Sequence, residues 1–275
     1  MPLAHINNTS LFFLEIGLGL PCFVMHGGLG FDHTYLHPWL DPLGETFRLV
    51  YYDHRGNGRS GRPPLATLTL ENLVQDAEAL RRHLGLGRIA VLGHSYGGFI
   101  ALEYALRYPQ HLSHLLLINS AAAWDYGEEI VANAVHRGAT PAMLEALNVE
   151  AYVTDDQRLS DWYHQMAPLY FYQFDQKIAD ELIQNMIFSS AAMRRGLELV
   201  KNYNVVARLT ELSVPSLIIS GREDFIMPPS QAIRLQQSIS HSNLMIFERS
   251  AHFPYLEEPD TFRQTVRDWA RGRAL

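Results

Sequence analysis

The sequence has almost no cysteine, no excess of basic residues and no long hydrophobic run. Cys22 is the single cysteine among 275 residues, which excludes an intrachain disulfide and a cysteine-rich zinc site. The 29 Asp and Glu residues outnumber the 22 Lys and Arg residues, so the formal net charge is −7. A protein that binds nucleic acid through its phosphates needs a positive face, and we therefore expect no nucleic-acid partner.

Membrane and export signals are missing as well. No segment approaches the roughly 18 consecutive apolar residues of a membrane-spanning helix. The first residues lack the basic stretch, apolar run and small-residue cleavage site of a secretory signal peptide. We therefore expect a cytoplasmic protein without a membrane partner, and the sequence leaves its oligomeric state open.

Short apolar runs alternate along the chain with helical patterns. Most runs lack the period-two alternation of a half-exposed strand, which favours strands buried on both faces of a mainly parallel sheet. The predicted strands are 23–25, 47–52, 89–93, 115–118, 216–220 and 243–247. The spacing of apolar residues predicts helices over 70–84, 97–108, 230–239 and 259–270. This alternation of strands and helices indicates an α/β fold.

The region 121–209 breaks this alternation. Its pattern is helical and rich in aromatic residues, and it contains no convincing strand. Because a structureless loop of this length would be unusual, we predict a helical insertion over one edge of the sheet. Residues 1–120 and 210–275 then form one sheet-centred domain that is split in the sequence.

The motif Gly93-His94-Ser95-Tyr96-Gly97 lies directly between a predicted strand and a predicted helix. A G-x-S-x-G sequence in that position is typical of a nucleophilic serine that projects from a sharp turn. Serine alone is a poor nucleophile, and it needs a base that is itself oriented by an acid. Ser95 is therefore the predicted nucleophile.

An acid and a base follow later strands in the chain order that this motif requires. Asp224 comes directly after the predicted strand 216–220, and His252 follows 243–247. We predict a catalytic triad of Ser95, Asp224 and His252. Glu223 is the alternative acid.

Backbone N–H groups are needed to stabilise the negative oxygen of a tetrahedral intermediate. One donor is expected from Tyr96, the residue after the nucleophile, and the other from the loop after an early strand. The glycine-rich stretch His26–Gly30 follows the predicted strand 23–25. Gly28 is the predicted donor, with Leu29 as the alternative.

Other candidate residues concern metals and the substrate. His33 and His37 are four residues apart but have no evident third ligand, so we expect no metal site, and triad chemistry needs no cofactor. The two arginines Arg55 and Arg59 are interpreted as structural. Predicted substrate contacts in an apolar pocket are Leu29, His94, Trp124, Tyr170 and Phe171.

Four features in order resemble the α/β-hydrolase superfamily over residues 1–120 and 210–275. They are His26-Gly27-Gly28, the stretch Asp53-His54-Arg55-Gly56-Asn57-Gly58-Arg59-Ser60, the serine motif, and the pair Asp224 and His252. The resemblance implies a mostly parallel, eight-stranded sheet with helices on both faces. It also implies that 121–209 is a helical cap, or lid.

Within that superfamily, His-Gly-Gly-x-Gly together with Asp-x-Arg-Gly-x-Gly-x-Ser resembles the proline iminopeptidase branch. Tyr96 agrees with that branch, whereas Leu29 stands where the branch usually has proline. Esterases, lactonases and C–C bond hydrolases share the second motif. Branches with an aspartate nucleophile are excluded by Ser95.

We therefore expect a serine hydrolase that cleaves a small or medium carboxylic ester through an acyl-enzyme. Three alternatives stay open: an aminopeptidase acting on a short peptide, a lactonase, and a non-hydrolytic member such as a ligand receptor, lyase or cofactor-free oxygenase. An aminopeptidase needs carboxylates in the cap to hold the substrate ammonium group. The available ones are Glu145, Glu150, Asp155, Asp156 and Asp161.

Overall fold

A computed structural model describes residues 2–272, and its eight strands form one sheet. The spatial order of the strands is β1-β2-β4-β3-β5-β6-β7-β8. Their bounds are Leu3–Ile6 (β1), Thr9–Ile16 (β2), Leu20–Met25 (β3), Phe47–Tyr52 (β4), Ile89–His94 (β5), Leu112–Ile118 (β6), Ser216–Gly221 (β7) and Ser242–Phe247 (β8).

The predicted, mainly parallel α/β sheet is confirmed. Strands β3 to β8 pair in parallel with their neighbours, whereas β1 and β2 form an antiparallel extension beside β4. Every residue of β5 is buried, as expected for a central strand that is covered on both faces. The β1–β2 hairpin was not predicted, because β2 buries only three of its eight residues and so shows neither a fully buried run nor an alternating pattern.

Helices outside the 121–209 segment pack against the sheet. Helix α2 contacts β5 and β6, and α9 contacts β7 and β8. The bounds of the α-helices outside that segment are Leu70–His83 (α1), Tyr96–Arg107 (α2), Pro229–Ser238 (α9), Pro254–Glu257 (α10) and Pro259–Ala270 (α11).

The 121–209 segment lies between the adjacent strands β6 and β7, and it contributes helices but no strand to the described sheet. Its two ends meet: the Trp124 N–H donates to the Tyr203 carbonyl at 3.0 Å, and the Val205 N–H donates to the Ala122 carbonyl at 2.9 Å. The helix bounds are Gly127–His136 (α3), Pro141–Ala146 (α4), Val149–Tyr152 (α5), Asp156–Tyr170 (α6), Gln176–Ile183 (α7) and Ser190–Val200 (α8).

All of these helices are short. The longest, α6, has 15 residues and contains Pro168. Within residues 2–272, no helix has the length and apolar character needed to cross a membrane.

Candidate active site

Ser95 occupies a strained turn between β5 and α2. Its φ of +56° and ψ of −123° lie in a region that residues other than glycine rarely adopt. The Ser95 N–H donates to the Ile118 carbonyl at 3.0 Å. The Ser95 carbonyl accepts from the Gly98 N–H and from the Ser120 hydroxyl, each at 2.9 Å. Bonds on both sides of the residue therefore hold the strained conformation in place.

Two glycines make room for this turn. A Cβ atom on Gly97 would lie 2.6 Å from the Met25 carbonyl carbon, and one on Gly27 would lie 2.8 Å from the Ser95 Cβ. Real Cβ atoms do not approach other atoms so closely, so any side chain would force α2 and the 26–30 loop apart. The small residues thus bring the serine turn against the end of β3.

Asp224 and His252 form a buried pair, with Asp224 Oδ2 2.7 Å from His252 Nδ1. The other carboxylate oxygen accepts the backbone N–H groups of Ile226 (3.0 Å) and Met227 (3.1 Å). Burial alone would raise the pKa of Asp224, but the nearby charge and hydrogen bond of His252, with further donors, lower it. The carboxylate is therefore ionised at neutral pH and holds Nδ1 of His252, which leaves Nε2 available as a base.

Asn119 is a further member of this cluster that sequence reasoning missed. It follows β6 directly and has a left-handed φ of 46°, which asparagine tolerates better than most residues. Its amide nitrogen donates to Asp224 Oδ2 and, at 2.9 Å, to the Ala251 carbonyl. Asn119 thus ties the loop of Asp224 to the loop of His252. The available signal was an asparagine placed at the end of a predicted strand.

The alternative acid, Glu223, points elsewhere. Its Oε2 lies 3.4 Å from Nη1 of Arg137, in the 121–209 segment. Of the two neighbouring carboxylates, Asp224 is the one that bonds His252.

The 26–30 loop and α2 present free backbone N–H groups. The amides of Gly27 and Gly30 donate to side chains at 2.5 Å. By contrast, the amides of Gly28, Leu29 and Tyr96 have no acceptor within the described residues 2–272. Tyr96 is the first residue of α2, where N–H groups lack intrahelical partners. The loop therefore keeps both predicted donor positions, Gly28 and Leu29, available.

One cavity of about 450 Å³ brings these groups together. Ser95, His252, Gly28 and Tyr96 all line it. Its remaining wall is mostly apolar and includes many aromatic side chains. Those aromatic residues are Phe31, Tyr35, Phe99, Trp124, Trp162, Tyr163, Tyr170, Phe225 and Phe253.

Four of the five predicted substrate contacts lie in the wall of this cavity, namely Leu29, His94, Trp124 and Tyr170. Phe171 is not among its described lining residues. It packs instead against Phe253 and Phe174, with ring centres 5.1 and 5.9 Å away. Tyr170 ends α6 and Phe171 lies outside that helix, so the two neighbouring rings are placed differently.

Charge is scarce in the cavity. Among residues 2–272, Glu150 is the only acidic residue that lines it, and Glu150 pairs with Lys201 at 2.7 Å. Both side chains are about half exposed, at 48% and 59%, which places the pair at the mouth. The other candidate carboxylates serve the segment itself: Asp155 caps α6, for example, and Asp156 accepts the Ser190 N–H.

Several arginine and histidine residues of the sequence motifs have carboxylate partners away from Ser95 and His252. Such buried or half-buried pairs brace the loops rather than bind a ligand. The pairs are Arg55–Asp76 (2.6 Å), Arg59–Asp32 (2.8 Å), His33–Asp53 (2.7 Å) and His37–Asp41 (2.9 Å).

Known proteins resemble this chain along most of its length. It is 28% identical to "Putative carbamate hydrolase RutD" of Rhizobium rhizogenes, over 91% of this chain and 93% of that protein. It is also 28% identical to a proline iminopeptidase of Heyndrickxia coagulans, over 94% and 92% of the two chains.

Solved structures agree with the fold. The enol-lactonase from Burkholderia xenovorans superposes with a TM-score of 0.79, at 24% identity, over 98% of this chain and 99% of that one. The family model described as "alpha/beta hydrolase fold" matches residues 21–259. This match covers both the serine turn and the Asp224–His252 pair, and the chain belongs to the α/β hydrolase fold family.

Proposed function

We propose that the protein is a serine hydrolase that cleaves small or medium carboxylic esters through an acyl-enzyme. One observation carries the proposal: a serine on a strained turn shares a cavity with a histidine that is bonded to a buried, ionised aspartate. In this proposal Ser95 is the nucleophile, His252 the base and Asp224 the orienting acid.

The first half-reaction forms the acyl-enzyme. Ser95 Oγ attacks the carbonyl carbon of the ester while its proton passes to His252 Nε2, and Asp224 stabilises the resulting imidazolium. The carbonyl oxygen becomes negative and accepts hydrogen bonds from the N–H groups of Tyr96 and Gly28. When the C–O bond to the leaving group breaks, the alcohol departs with the proton from His252.

The second half-reaction uses water. His252 takes a proton from a water molecule as the water oxygen attacks the acyl carbon, and it returns the proton to Ser95 Oγ as the acyl bond breaks. The products are a carboxylic acid and regenerated serine. In this scheme the 121–209 segment is the cap, and its aromatic side chains hold the apolar part of the substrate.

Aminopeptidase activity of the proline iminopeptidase type is the second candidate, because relatives of that name match nearly the whole chain. A substrate with a free amino terminus needs a negative group near the scissile bond. The acidic group that lines the cavity, Glu150, is neutralised by Lys201 at the mouth. This charge distribution favours a neutral, apolar ester over a cationic peptide.

A substrate panel tests the proposal. We expect higher kcat/KM on short p-nitrophenyl esters than on a prolyl arylamide, a carbamate or a lactone. Ser95→Ala is expected to lower turnover by about 10³-fold or more. Ser113→Ala is the matched control, because the Ser113 hydroxyl on β6 has no described partner and is outside the cavity lining.

Two results would contradict the proposal. Ser95→Ala with near-normal ester hydrolysis would exclude Ser95 as the nucleophile. Failure of a fluorophosphonate to label Ser95 in the unmodified protein would favour a non-hydrolytic member of the fold.

A further inference from the structure

A buried chain of hydrogen bonds runs behind the candidate catalytic groups. The Gly27 N–H donates to the Tyr35 hydroxyl at 2.5 Å. That hydroxyl lies 2.9 Å from Nδ1 of His94. On the other side of the same ring, Nε2 of His94 lies 2.9 Å from the backbone carbonyl oxygen of His252. Neither Tyr35 nor His94 is among the groups that the proposed reaction uses.

The direction of each bond follows from its ends. A carbonyl oxygen can only accept, so the proton of His94 must be on Nε2. The other ring nitrogen, Nδ1, is then an acceptor and receives the hydrogen of the Tyr35 hydroxyl. That hydroxyl oxygen accepts from the Gly27 N–H. Burial, together with the nearby charge of His252, lowers the pKa of His94 to about 3, so the ring stays neutral and keeps this single arrangement.

The chain of bonds connects three parts of the fold that are distant in the sequence: the 26–30 loop, the end of β5 and the loop of His252. Gly27 precedes Gly28 in the 26–30 loop, and His94 precedes the nucleophile Ser95. The third end is the main chain of the base, His252. Tyr35 and His94 are 3% and 1% exposed, so water has little access to replace either partner. A missing link in such a site leaves a buried polar group unsatisfied, and the loops must shift to compensate.

We propose that Tyr35 and His94 are positioning residues that fix the spacing between the N–H donors of the 26–30 loop and the base His252. The inference rests on the proposed serine-hydrolase function. The polar groups of both residues are occupied by this chain of bonds, although their rings line the cavity. A shift of the loops affects the transition state, in which proton transfer and charge stabilisation must coincide, more than substrate binding in the apolar wall.

Tyr35→Phe removes one hydroxyl and keeps the ring. We expect kcat for a p-nitrophenyl ester to fall about tenfold to 100-fold, with KM within about twofold of the unmodified protein. Tyr104→Phe is the matched control: Tyr104 is also fully buried and its hydroxyl bonds Glu78 at 3.1 Å, but it does not line the cavity. The control is expected to keep its kcat.

A second pair of variants tests the His94 link independently. The amide of His94→Gln has both a donor for the His252 carbonyl and an acceptor for Tyr35, whereas His94→Leu has neither. We expect Gln to retain several-fold more kcat than Leu, at similar KM. Equal losses in the two variants would mean that His94 only fills space, and that result would overturn the positioning role.

The rate of Ser95 labelling by a fluorophosphonate separates the two proposals. Labelling of the unmodified protein, but not of Ser95→Ala, supports the serine nucleophile whatever the behaviour of Tyr35. With that result in hand, slower labelling of Tyr35→Phe supports positioning. Labelling and kcat of Tyr35→Phe equal to those of Tyr104→Phe overturn positioning while the hydrolase proposal stands. No labelling of the unmodified protein overturns both.

Discussion

The two sides of the cavity differ in the kind of contact that holds their residues. The side formed by the strand ends rests on a polar network: Asp224, Asn119 and His252 are buried and linked by hydrogen bonds, and His252 reaches the cavity. The side formed by the 121–209 segment is apolar, with side chains such as Trp162 and Met166. Polar groups that must keep fixed distances lie on the rigid sheet, whereas the apolar wall depends on shape and tolerates change.

The largest expected effect belongs to the polar side. Asp224→Asn replaces the acceptor for His252 Nδ1 and favours the wrong tautomer of the histidine, so we expect ester kcat to fall by about 10⁴-fold. Glu223→Gln is the matched control, since the neighbouring carboxylate contacts Arg137 instead. It should keep kcat within about threefold in steady-state assays. A comparable loss of kcat in Glu223→Gln would mean that Asp224 is not the specific acid and that the two neighbouring carboxylates do not differ in role.

The stability of the protein should depend on pH through Glu257, which bonds segments from both sides of the cavity. Glu257 accepts the N–H groups of Ala251, beside His252, and of Tyr172, in the 121–209 segment, at 2.7 and 2.5 Å. Burial raises the pKa of Glu257 to about 7 from an ordinary value of 4.5. Because the folded pKa is raised, its contribution to stability is fully present below pH 4.5 and is lost as pH rises through about 7, by roughly 1–3 kcal/mol.

Urea unfolding between pH 5 and 8 measures this contribution. The stability of the unmodified protein should fall over that range relative to Glu257→Gln, which cannot ionise there. Glu128→Gln, on an exposed residue of α3, should follow the unmodified protein. Parallel curves for Glu257→Gln and the unmodified protein would show that folding does not raise the pKa of this carboxyl group.

The apolar side should respond in specificity rather than in rate. Trp124→Ala enlarges the cavity, and we expect the ratio of kcat/KM for p-nitrophenyl octanoate over butyrate to rise about tenfold. Phe174→Ala, at a 39% exposed position that does not line the described cavity, is the control. An unchanged ratio in Trp124→Ala would mean that Trp124 does not contact the acyl part of the substrate. A loss of kcat alone would mean that Trp124 supports the polar groups instead.

The smallest effect is expected at the mouth. Glu150→Gln breaks a half-exposed pair with Lys201 and should change ester kcat/KM by less than about twofold, because exposed ion pairs contribute little. The same variant should leave the KM of a prolyl arylamide unchanged. A rise of tenfold or more in that KM, with ester hydrolysis intact, would favour the aminopeptidase candidate.

Local patterns in the sequence predicted much of this molecule. The central strands bury consecutive residues and the amphipathic helices bury residues three or four positions apart, so 89–93 and 259–270 could be identified directly. The serine motif and the residues after late strands followed from chain order. The same logic missed β2, which buries only Leu11, Phe12 and Phe13 and so shows neither a fully buried run nor an alternating pattern.

Contacts between distant segments could not be predicted in this way. Asn119 gains its partners only where β6 ends beside the loops of Asp224 and Ala251. Tyr35 and His94 meet although 59 positions separate them. Phe171 was expected in the cavity because it is aromatic and beside Tyr170, yet the end of α6 places it against Phe253. Such contacts depend on how distant segments pack together, which the pattern of a single sequence does not show.

The meeting of the two ends of the 121–209 segment has a consequence for how substrate range can evolve. The segment departs and returns between neighbouring strands, and the paired backbones of Ala123 and Asn204 close its base. Because β6 and β7 pair outside that closure, we expect changes beyond it to leave the register of these two strands unaltered. We therefore expect residues 124–203 to be exchangeable as one unit: a graft of the corresponding segment of a relative should transfer substrate preference, provided that it keeps the bond from the His252 N–H to the carbonyl at position 170 (3.0 Å).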